Sequence, residues 1–276
     1  MCALCSLCLE EWTCLVLTPC CSERGFRVFG VDLLGFGLSD KPAGTTYSIG
    51  LWAELVKDFV AEFAGPEGAY VMGNSIGSLV CCTVARDSPA SVRGLILCNC
   101  AAGMNNKFIT TDKRTPPAGK LVFGAIFGLL DILLSIDVFA NFFFDKVKSP
   151  ETVTKVLQGV YVDKASVDAD LVKSILDPAE HPNACEAFVK ILTGDPGTTP
   201  DKFMHEIKQP MLLIWGDEDP FTPIDAGYGI YFTQELVGKR ANTELKVVHA
   251  GHCPQDDGAA GLDVSSAVSS WLAERT

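Results

Sequence analysis

Short apolar runs rich in β-branched residues alternate with helical patterns along this chain. The runs predict strands at 26–32, 69–73, 95–100, 211–215 and 245–249. The helical patterns predict helices at 48–64, 75–87 and 258–274. Strands that alternate with helices form a mostly parallel sheet with flanking helices. The sequence therefore predicts an α/β fold.

The composition limits the classes of protein to which the chain can belong. Its 276 residues are enough for one large α/β domain, or for a core domain that carries an insertion. Apolar residues make up 48% of the chain and charged residues only 20%, which excludes a disordered chain. The formal net charge is −12, the wrong sign for neutralising phosphates, so no nucleic-acid partner is expected.

The pattern changes between residues 104 and 207, where strand-like runs disappear and prolines separate helix-like segments. A helical excursion between two strands is typical of an inserted cap. We therefore expect a helical cap at 104–207 and an α/β core formed by 26–103 and 208–276.

The most apolar stretch of the chain lies inside this cap, at residues 120–144. A membrane span needs about 20 apolar residues with few charges. Asp131 and Asp137 interrupt this stretch, and near the middle of a bilayer each would cost at least ~2.5 kcal/mol, so no span is expected. Two interpretations stay open: a buried cap helix, and a lid that contacts a long apolar substrate or a membrane surface.

Residues 1–25 are interpreted as a Cys-rich N-terminal extension. Half of the 12 Cys lie in the first 21 residues, and Cys2, Cys5 and Cys8 have a spacing that occurs in metal sites. No second Cys or His pair completes a ligand set nearby, so no metal is expected. The other six Cys lie mostly in apolar runs and are expected to be small buried hydrophobic residues in a reducing compartment. The segment has neither the positive region of a secretory signal nor the composition of a transit peptide.

A G-x-S-x-G pattern, Gly73-Asn74-Ser75-Ile76-Gly77, lies between a predicted strand and a predicted helix. In that context the pattern is typical of a nucleophile elbow, a sharp turn that exposes the serine hydroxyl above the sheet. Gly73 and Gly77 avoid the steric clash that side chains would cause in such a turn. The sequence therefore predicts that Ser75 is a nucleophile.

A serine needs a base, and the chain order expected for this fold is serine, acid, histidine. His252 follows the last predicted strand, whereas His181 and His205 lie in the expected cap and His249 ends a strand. The acid should follow the 211–215 strand, where Asp219 is the best-placed candidate and Asp217 is the runner-up. Its role would be to orient and stabilise the imidazole of His252. No cofactor is expected.

These motifs resemble those of the α/β-hydrolase superfamily. The segments DLLGFGLSDKP, GNSIGSL, LCNCAAGMNNK, WGDEDPFTPID and GHCPQDD together resemble the plant and algal chlorophyll dephytylases, relatives of pheophytinase. The resemblance implies hydrolysis of the phytyl ester of chlorophyll in the chloroplast, with peripheral contact to the thylakoid membrane. It also implies that Ser75, Asp219 and His252 are the catalytic residues. The backbone amide of Ile76 would be one of the two donors of the oxyanion hole.

One family feature is missing. Members carry a His-Gly motif on an apolar strand that precedes the segment equivalent to residues 26–32, and it supplies the second oxyanion donor. No His-Gly pair precedes Phe26 here, and the first histidine is His181. We therefore expect a sheet without its N-terminal strands, and a loss of about 10²–10³ in turnover if one donor is absent.

Two alternatives to a chlorophyll hydrolase remain. The first is an impaired hydrolase fold that binds a pigment or a prenyl chain, and the second is a generic lipid esterase. Halide or epoxide chemistry is disfavoured, because relatives with those activities carry Asp at the position of Ser75.

Overall fold

The computed structural model describes residues 3–8, 21–22 and 25–275 of the chain. It contains a six-stranded sheet with the order β2-β1-β3-β4-β5-β6, and every pair of neighbouring strands is parallel. The strands are β1 (Ala3–Cys8), β2 (Arg27–Asp32), β3 (Ala69–Asn74), β4 (Val92–Cys98), β5 (Met211–Gly216) and β6 (Thr243–Val248). The five strands predicted from the sequence are all present, with bounds that differ by a few residues.

The N-terminal segment differs from the prediction. The sequence predicts that residues 3–8 belong to an extension and that the sheet lacks its N-terminal strands. Residues 3–8 instead form β1, which precedes β2 in the chain and lies between β2 and β3 in the sheet. The sequence does not predict this strand, because the segment ALCSLC contains no β-branched or aromatic residue, the types that mark a strand in a sequence. Leu7 is in register with Gly73, so the carboxyl end of β1 lies beside the carboxyl end of β3.

Helices cover both faces of the sheet. The core helices are α1 (Ile49–Phe59, continued by a π-helical turn at Val60–Ala64), α2 (Ile76–Asp87) and, later in the chain, α8 (Gly227–Ile230), α9 (Val237–Lys239) and α10 (Ala259–Ala273). The Ser48 hydroxyl accepts a hydrogen bond from the Leu51 amide at 3.1 Å and so caps α1.

Alternate residues of the central strands point to opposite faces of the sheet. In β4, Leu95 and Leu97 belong to the larger core cluster, which includes Trp52 of α1. Ile96 belongs to the second cluster, which includes Val264 of α10. Both faces of β4 are therefore buried, as expected for a parallel strand.

Between β4 and β5 the chain forms the helices α3 (Pro117–Leu134), α4 (Asp137–Val147), α5 (Pro150–Val160), α6 (Ala169–Ala179) and α7 (Ala184–Thr193). This is the part of the chain in which the sequence predicts a helical cap, and we call residues 104–207 the cap segment. It contains a small apolar cluster of its own, built from α5, α6 and the turn between them.

The apolar stretch at 120–144 is divided between α3 and α4, which are separated at Ser135 and Ile136. The interpretation as a buried cap helix is wrong for α3, because only Leu134 of this helix is buried. By length and composition alone, α3 is the one helix among the described residues that could cross a membrane. Apart from Leu134, its large apolar side chains are exposed or half-buried.

Candidate active site

The turn between β3 and α2 holds Ser75 in a strained conformation. Its φ is 51° and its ψ is −116°, a combination that non-glycine residues rarely adopt. The Ser75 amide donates to the carbonyl of Cys98 at 2.9 Å, and the Ser75 carbonyl accepts from the amide of Ala101 at 3.1 Å. The end of β4 therefore fixes the backbone of this turn.

The two glycines that flank Ser75 lie in close backbone contact. A Cβ atom added to Gly73 would lie 2.3 Å from the carbonyl carbon of Gly77. No side chain fits at that distance, so the predicted need for glycine at position 73 agrees with the geometry of the turn.

Asp219 and His252 form a buried pair. The Nδ1 atom of His252 lies 2.8 Å from Oδ2 of Asp219, and both side chains are almost fully buried. Asp219 also accepts hydrogen bonds from the Phe221 amide at 2.7 Å and from the Thr222 hydroxyl. Burial alone would raise the pKa of Asp219, but the hydrogen bond and charge of His252 and these other donors outweigh it, so its pKa is lowered. The carboxylate is therefore ionised at neutral pH.

The runner-up acid lies elsewhere. Asp217 contacts His249, with 3.2 Å between Oδ1 and Nδ1, and both side chains are exposed. The structure thus pairs each of the two candidate acids with a different histidine, and only the Asp219–His252 pair is buried.

Ser75 and His252 lie on adjacent loops. Both residues are described by the structure, and no hydrogen bond joins the Ser75 hydroxyl to the His252 ring. Hydrogen bonds between a nucleophile and its base are often long until substrate binds. The Asn74 side chain, next to Ser75, donates to the His252 carbonyl at 2.8 Å, which connects the serine turn to the histidine loop.

The sequence does not indicate a role for Asn99. It is fully buried at the end of β4, and its amide nitrogen donates to the carbonyls of Gly251 at 2.9 Å and His252 at 3.0 Å. Its side-chain oxygen accepts from the Gly216 amide at 2.9 Å. Asn99 therefore holds the start of the acid loop and the histidine loop in one position. Its positive φ of 41°, which Asn tolerates better than most residues, fits a site just after a strand.

Hydrogen bonds connect the cap segment directly to the loop that contains His252, which we call the histidine loop. The His252 amide donates to the Val160 carbonyl at 2.8 Å. Buried Asp257 accepts from the amides of Gly251, Val162 and Asp163 at 2.7–2.8 Å. The turn that follows α5 is thus anchored to the loop that carries the imidazole.

A cavity of about 450 Å³ lies between the core and the cap segment, a volume within the range of small-molecule sites. Its wall includes Phe36 and Gly37 from the loop after β2, Ile76 at the start of α2, and Phe144 and Phe188 from the cap segment. Most of its lining residues are apolar. Two cations also line it, Lys41 and Lys148, and both have protein acceptors.

Ile76, which the sequence predicts as an oxyanion donor, is the first residue of α2. The first amides of a helix have no partner within the helix and favour negative charge. The second donor is expected after β1, and residues 9–20 lie outside the described residues. The predicted absence of that donor therefore stays a prediction.

Comparison with known proteins agrees with this architecture. The model of a family described as the alpha/beta hydrolase fold matches residues 3–259. A chloroplastic pheophytinase of Arabidopsis thaliana is 26% identical over 275 residues, covering 85% of this chain and 53% of the pheophytinase. The chain thus spans about half the length of that relative.

Other relatives are bacterial. A 2-hydroxy-6-oxononadienedioate/2-hydroxy-6-oxononatrienedioate hydrolase of Paraburkholderia phymatum is 30% identical over 238 residues, covering 85% of this chain and 73% of that enzyme. Among solved structures, a meta-cleavage product hydrolase from Pseudomonas fluorescens has a TM-score of 0.71 at 17% identity, covering 100% of this chain and 92% of that chain. A putative acyltransferase from Salmonella enterica has a TM-score of 0.73 at 18% identity, covering 99% of this chain and 88% of that chain. The chain belongs to the α/β-hydrolase family.

Proposed function

We propose that this protein is a serine hydrolase of carboxylic esters, with Ser75, His252 and Asp219 as nucleophile, base and orienting acid. The observation that carries the proposal is the buried 2.8 Å contact between Asp219 and His252. The loop that contains His252 is hydrogen-bonded to Asn74, which is next to the strained Ser75. A surface ion pair would be exposed and would not adjoin a turn of this kind.

In the proposed reaction, the Ser75 hydroxyl oxygen attacks the ester carbonyl while the His252 Nε2 atom takes its proton. The tetrahedral oxyanion is stabilised by the amide of Ile76 at the start of α2. The C–O bond to the alcohol then breaks, and His252 returns the proton to the departing alcohol. Water, deprotonated by His252, cleaves the acyl-enzyme and restores Ser75. Asp219 holds the imidazole and stays ionised throughout.

The lining of the cavity favours an uncharged and largely apolar ester. The buried ammonium of Lys41 donates to the carbonyls of Gly37 and Ser39, and Lys148 pairs with Glu180. Burial lowers the pKa of Lys41, although Asp32 and Asp40 oppose this effect. Because Lys148 pairs with Glu180 and two of the three N–H groups of Lys41 already have acceptors, this wall suits an apolar ester better than a dicarboxylate.

Within this class, we propose the phytyl ester of chlorophyll as the substrate and the chloroplast as the location, with peripheral contact to the thylakoid membrane. Support comes from the dephytylase-like segments and from the similarity to a chloroplastic pheophytinase. The products would be chlorophyllide and phytol. No cofactor takes part in this mechanism.

The test is incubation of the purified chain with chlorophyll a, with Ser75→Ala as the control. We expect chlorophyllide from the wild type and none from Ser75→Ala. A fluorophosphonate probe should label the wild type at Ser75 only. Labelling and hydrolysis of short p-nitrophenyl esters without chlorophyllide would support a generic lipid esterase instead. Pigment binding without labelling would support a non-catalytic binder.

A further inference from the structure

Helices α3 and α4 expose an unusual amount of apolar surface. Of the 19 large hydrophobic side chains that are exposed in the described part of the chain, 12 lie on residues 117–147, which we call the apolar hairpin. Leu121 and Val138 are each 76% exposed, and Phe142 is 64% exposed. Exposed apolar patches of this kind mark sites of interaction with a protein or a membrane.

The charges around the apolar hairpin have the opposite balance to the rest of the chain. Residues 104–148 contain six Lys or Arg and four Asp, a net charge of +2 in a chain of −12. Lys120 lies in the first turn of α3, and Lys146 lies near the end of α4, with its ammonium 5.7 Å from the centre of the Phe142 ring. Lys120 and Lys146 flank the apolar stretch in the sequence, and cations beside an apolar surface match the anionic headgroups that border the apolar part of a bilayer.

The apolar hairpin is held against the body of the protein along one side. Lys107, on a short 3₁₀ helix after β4, pairs with Asp131 of α3 at 2.7 Å. On α4, the Phe144 ring packs against Phe188 at 5.4 Å between centroids. α4 has only 11 residues, too few to cross a bilayer. These contacts favour helices that lie along a membrane surface.

Helix α4 belongs both to the exposed apolar surface and to the wall of the cavity. Phe142 and Phe143 are exposed on α4, whereas the next residue, Phe144, lines the cavity that Ile76 borders. α4 therefore contributes to the exposed apolar surface and to the cavity wall with residues that are adjacent in the sequence.

We propose that the apolar hairpin is a docking surface for a bilayer that contains anionic lipids, with α3 and α4 lying in the interface parallel to the membrane plane. Docking brings the cavity next to esters dissolved in the lipid, and this last step rests on the proposed function. The substrate is then taken up from the membrane, not from water.

The experiment is flotation of the purified chain with phosphatidylcholine vesicles, with and without phosphatidylglycerol. The double variant Leu121→Ser/Val138→Ser should reduce the partition coefficient about tenfold or more, since two apolar side chains no longer enter the lipid. The matched control Leu38→Ser/Leu262→Ser removes side chains that are 72% and 68% exposed outside the apolar hairpin, and it should bind like the wild type. Lys120→Gln/Lys146→Gln should remove most of the preference for phosphatidylglycerol.

Three outcomes would overturn the proposal. The first is equal flotation of the two apolar double variants. The second is resistance of the vesicle-bound wild type to extraction with alkaline carbonate, which would indicate a helix that spans the membrane. The third is a wild type that binds no vesicles but forms a dimer that dissociates in Leu121→Ser/Val138→Ser, which would show that a second copy of the chain covers the apolar hairpin. The Ser75→Ala variant should float like the wild type. Flotation without ester hydrolysis would therefore refute only the proposed function, and hydrolysis of a soluble ester without flotation would refute only the docking surface.

Discussion

The side-chain amide of Asn99 donates to the backbone carbonyl of His252 across 3.0 Å, from a residue that is completely buried. The same amide reaches the Gly251 carbonyl, and its oxygen accepts from the Gly216 amide. One side chain thus sets the positions of both loops that carry the proposed acid and base. We regard Asn99 as a positioning residue, because it acts through His252.

We expect Asn99→Ala to lower kcat about 10–100-fold on a soluble ester with little change in KM, since an imidazole displaced by about 1 Å loses its alignment with the serine. The free energy of unfolding should also fall by about 1–3 kcal/mol, because buried carbonyls lose their donor. The control is Asn242→Ala, whose exposed side chain donates to the Lys208 carbonyl. A fluorophosphonate labelling rate equal to that of the wild type, at a temperature where Asn99→Ala is folded, would contradict a positioning role.

Asp219 and Asp217 provide a matched pair of substitutions. Asp219→Asn removes the charge that stabilises a protonated His252, and we expect kcat to fall about 10⁴-fold. Asp217→Asn removes an exposed partner of His249 and should change kcat by less than about twofold, because exposed pairs contribute little. Steady-state kinetics on p-nitrophenyl butyrate would measure both. Similar losses in the two variants would show that Asp219 has no special role.

The features that could be predicted from the sequence are those with local signals. Residues 69–73 and 211–215 are continuous apolar runs, and the strands there are buried on both faces. Ser75 and Asp219 each follow such a run, His252 follows the more exposed strand β6, and parallel strands present their carboxyl ends at one edge of the sheet. Chain order therefore predicts that an acid after the 211–215 run lies near His252, and the sequence favours Asp219 over Asp217 for that contact.

Other features depend on contacts that are distant in the sequence. The partners of Asn99 are more than 100 residues away, so nothing near Asn99 in the chain indicates its role. The helix α3 has only two charged residues, Lys120 and Asp131, and such an apolar sequence does not distinguish a buried helix from one that faces outward. For β1, the Cys and Ser residues gave no strand signal, and its place in the sheet depends on pairing with β2 and β3.

The buried carboxyl group of Asp256 makes the stability of the protein depend on pH. Burial raises the pKa of its carboxyl, with added repulsion from Asp168 and Asp257, although the Tyr161 hydroxyl bond at 2.9 Å opposes the shift. For an acid with a raised folded-state pKa, the folded state binds more protons than the unfolded state. Stability is therefore greatest below the unfolded pKa of about 3.9 and is lost as the pH rises through the folded pKa.

Asp256→Asn should consequently raise Tm at pH 7, and the gain should shrink as the pH falls toward about 4. Asn keeps an oxygen that can accept from the Tyr161 hydroxyl, so that hydrogen bond need not be lost. Differential scanning calorimetry across this pH range measures the effect, with the exposed Asp263→Asn as a control that should leave Tm unchanged. A lower Tm at pH 7 for Asp256→Asn would mean that its hydrogen bond to Tyr161 outweighs the cost of its buried charge.

The contact between the cap segment and the histidine loop can be tested with two glycines. A Cβ atom on Gly251 would collide with the carbonyl oxygen of Val160, whereas a Cβ atom on Gly159 would meet nothing within 4 Å. Gly251→Ala should therefore push the turn after α5 away from His252 and break the bond from the His252 amide to Val160. We expect a fall in kcat of about tenfold or more and a loss of about 1–3 kcal/mol in the free energy of unfolding.

Gly159→Ala, inside α5, should instead stabilise the protein by about 0.4–1 kcal/mol with unchanged kcat. Chemical denaturation and kinetics on a soluble ester would measure both variants, and equal behaviour of the two would show that the turn after α5 does not control the position of His252.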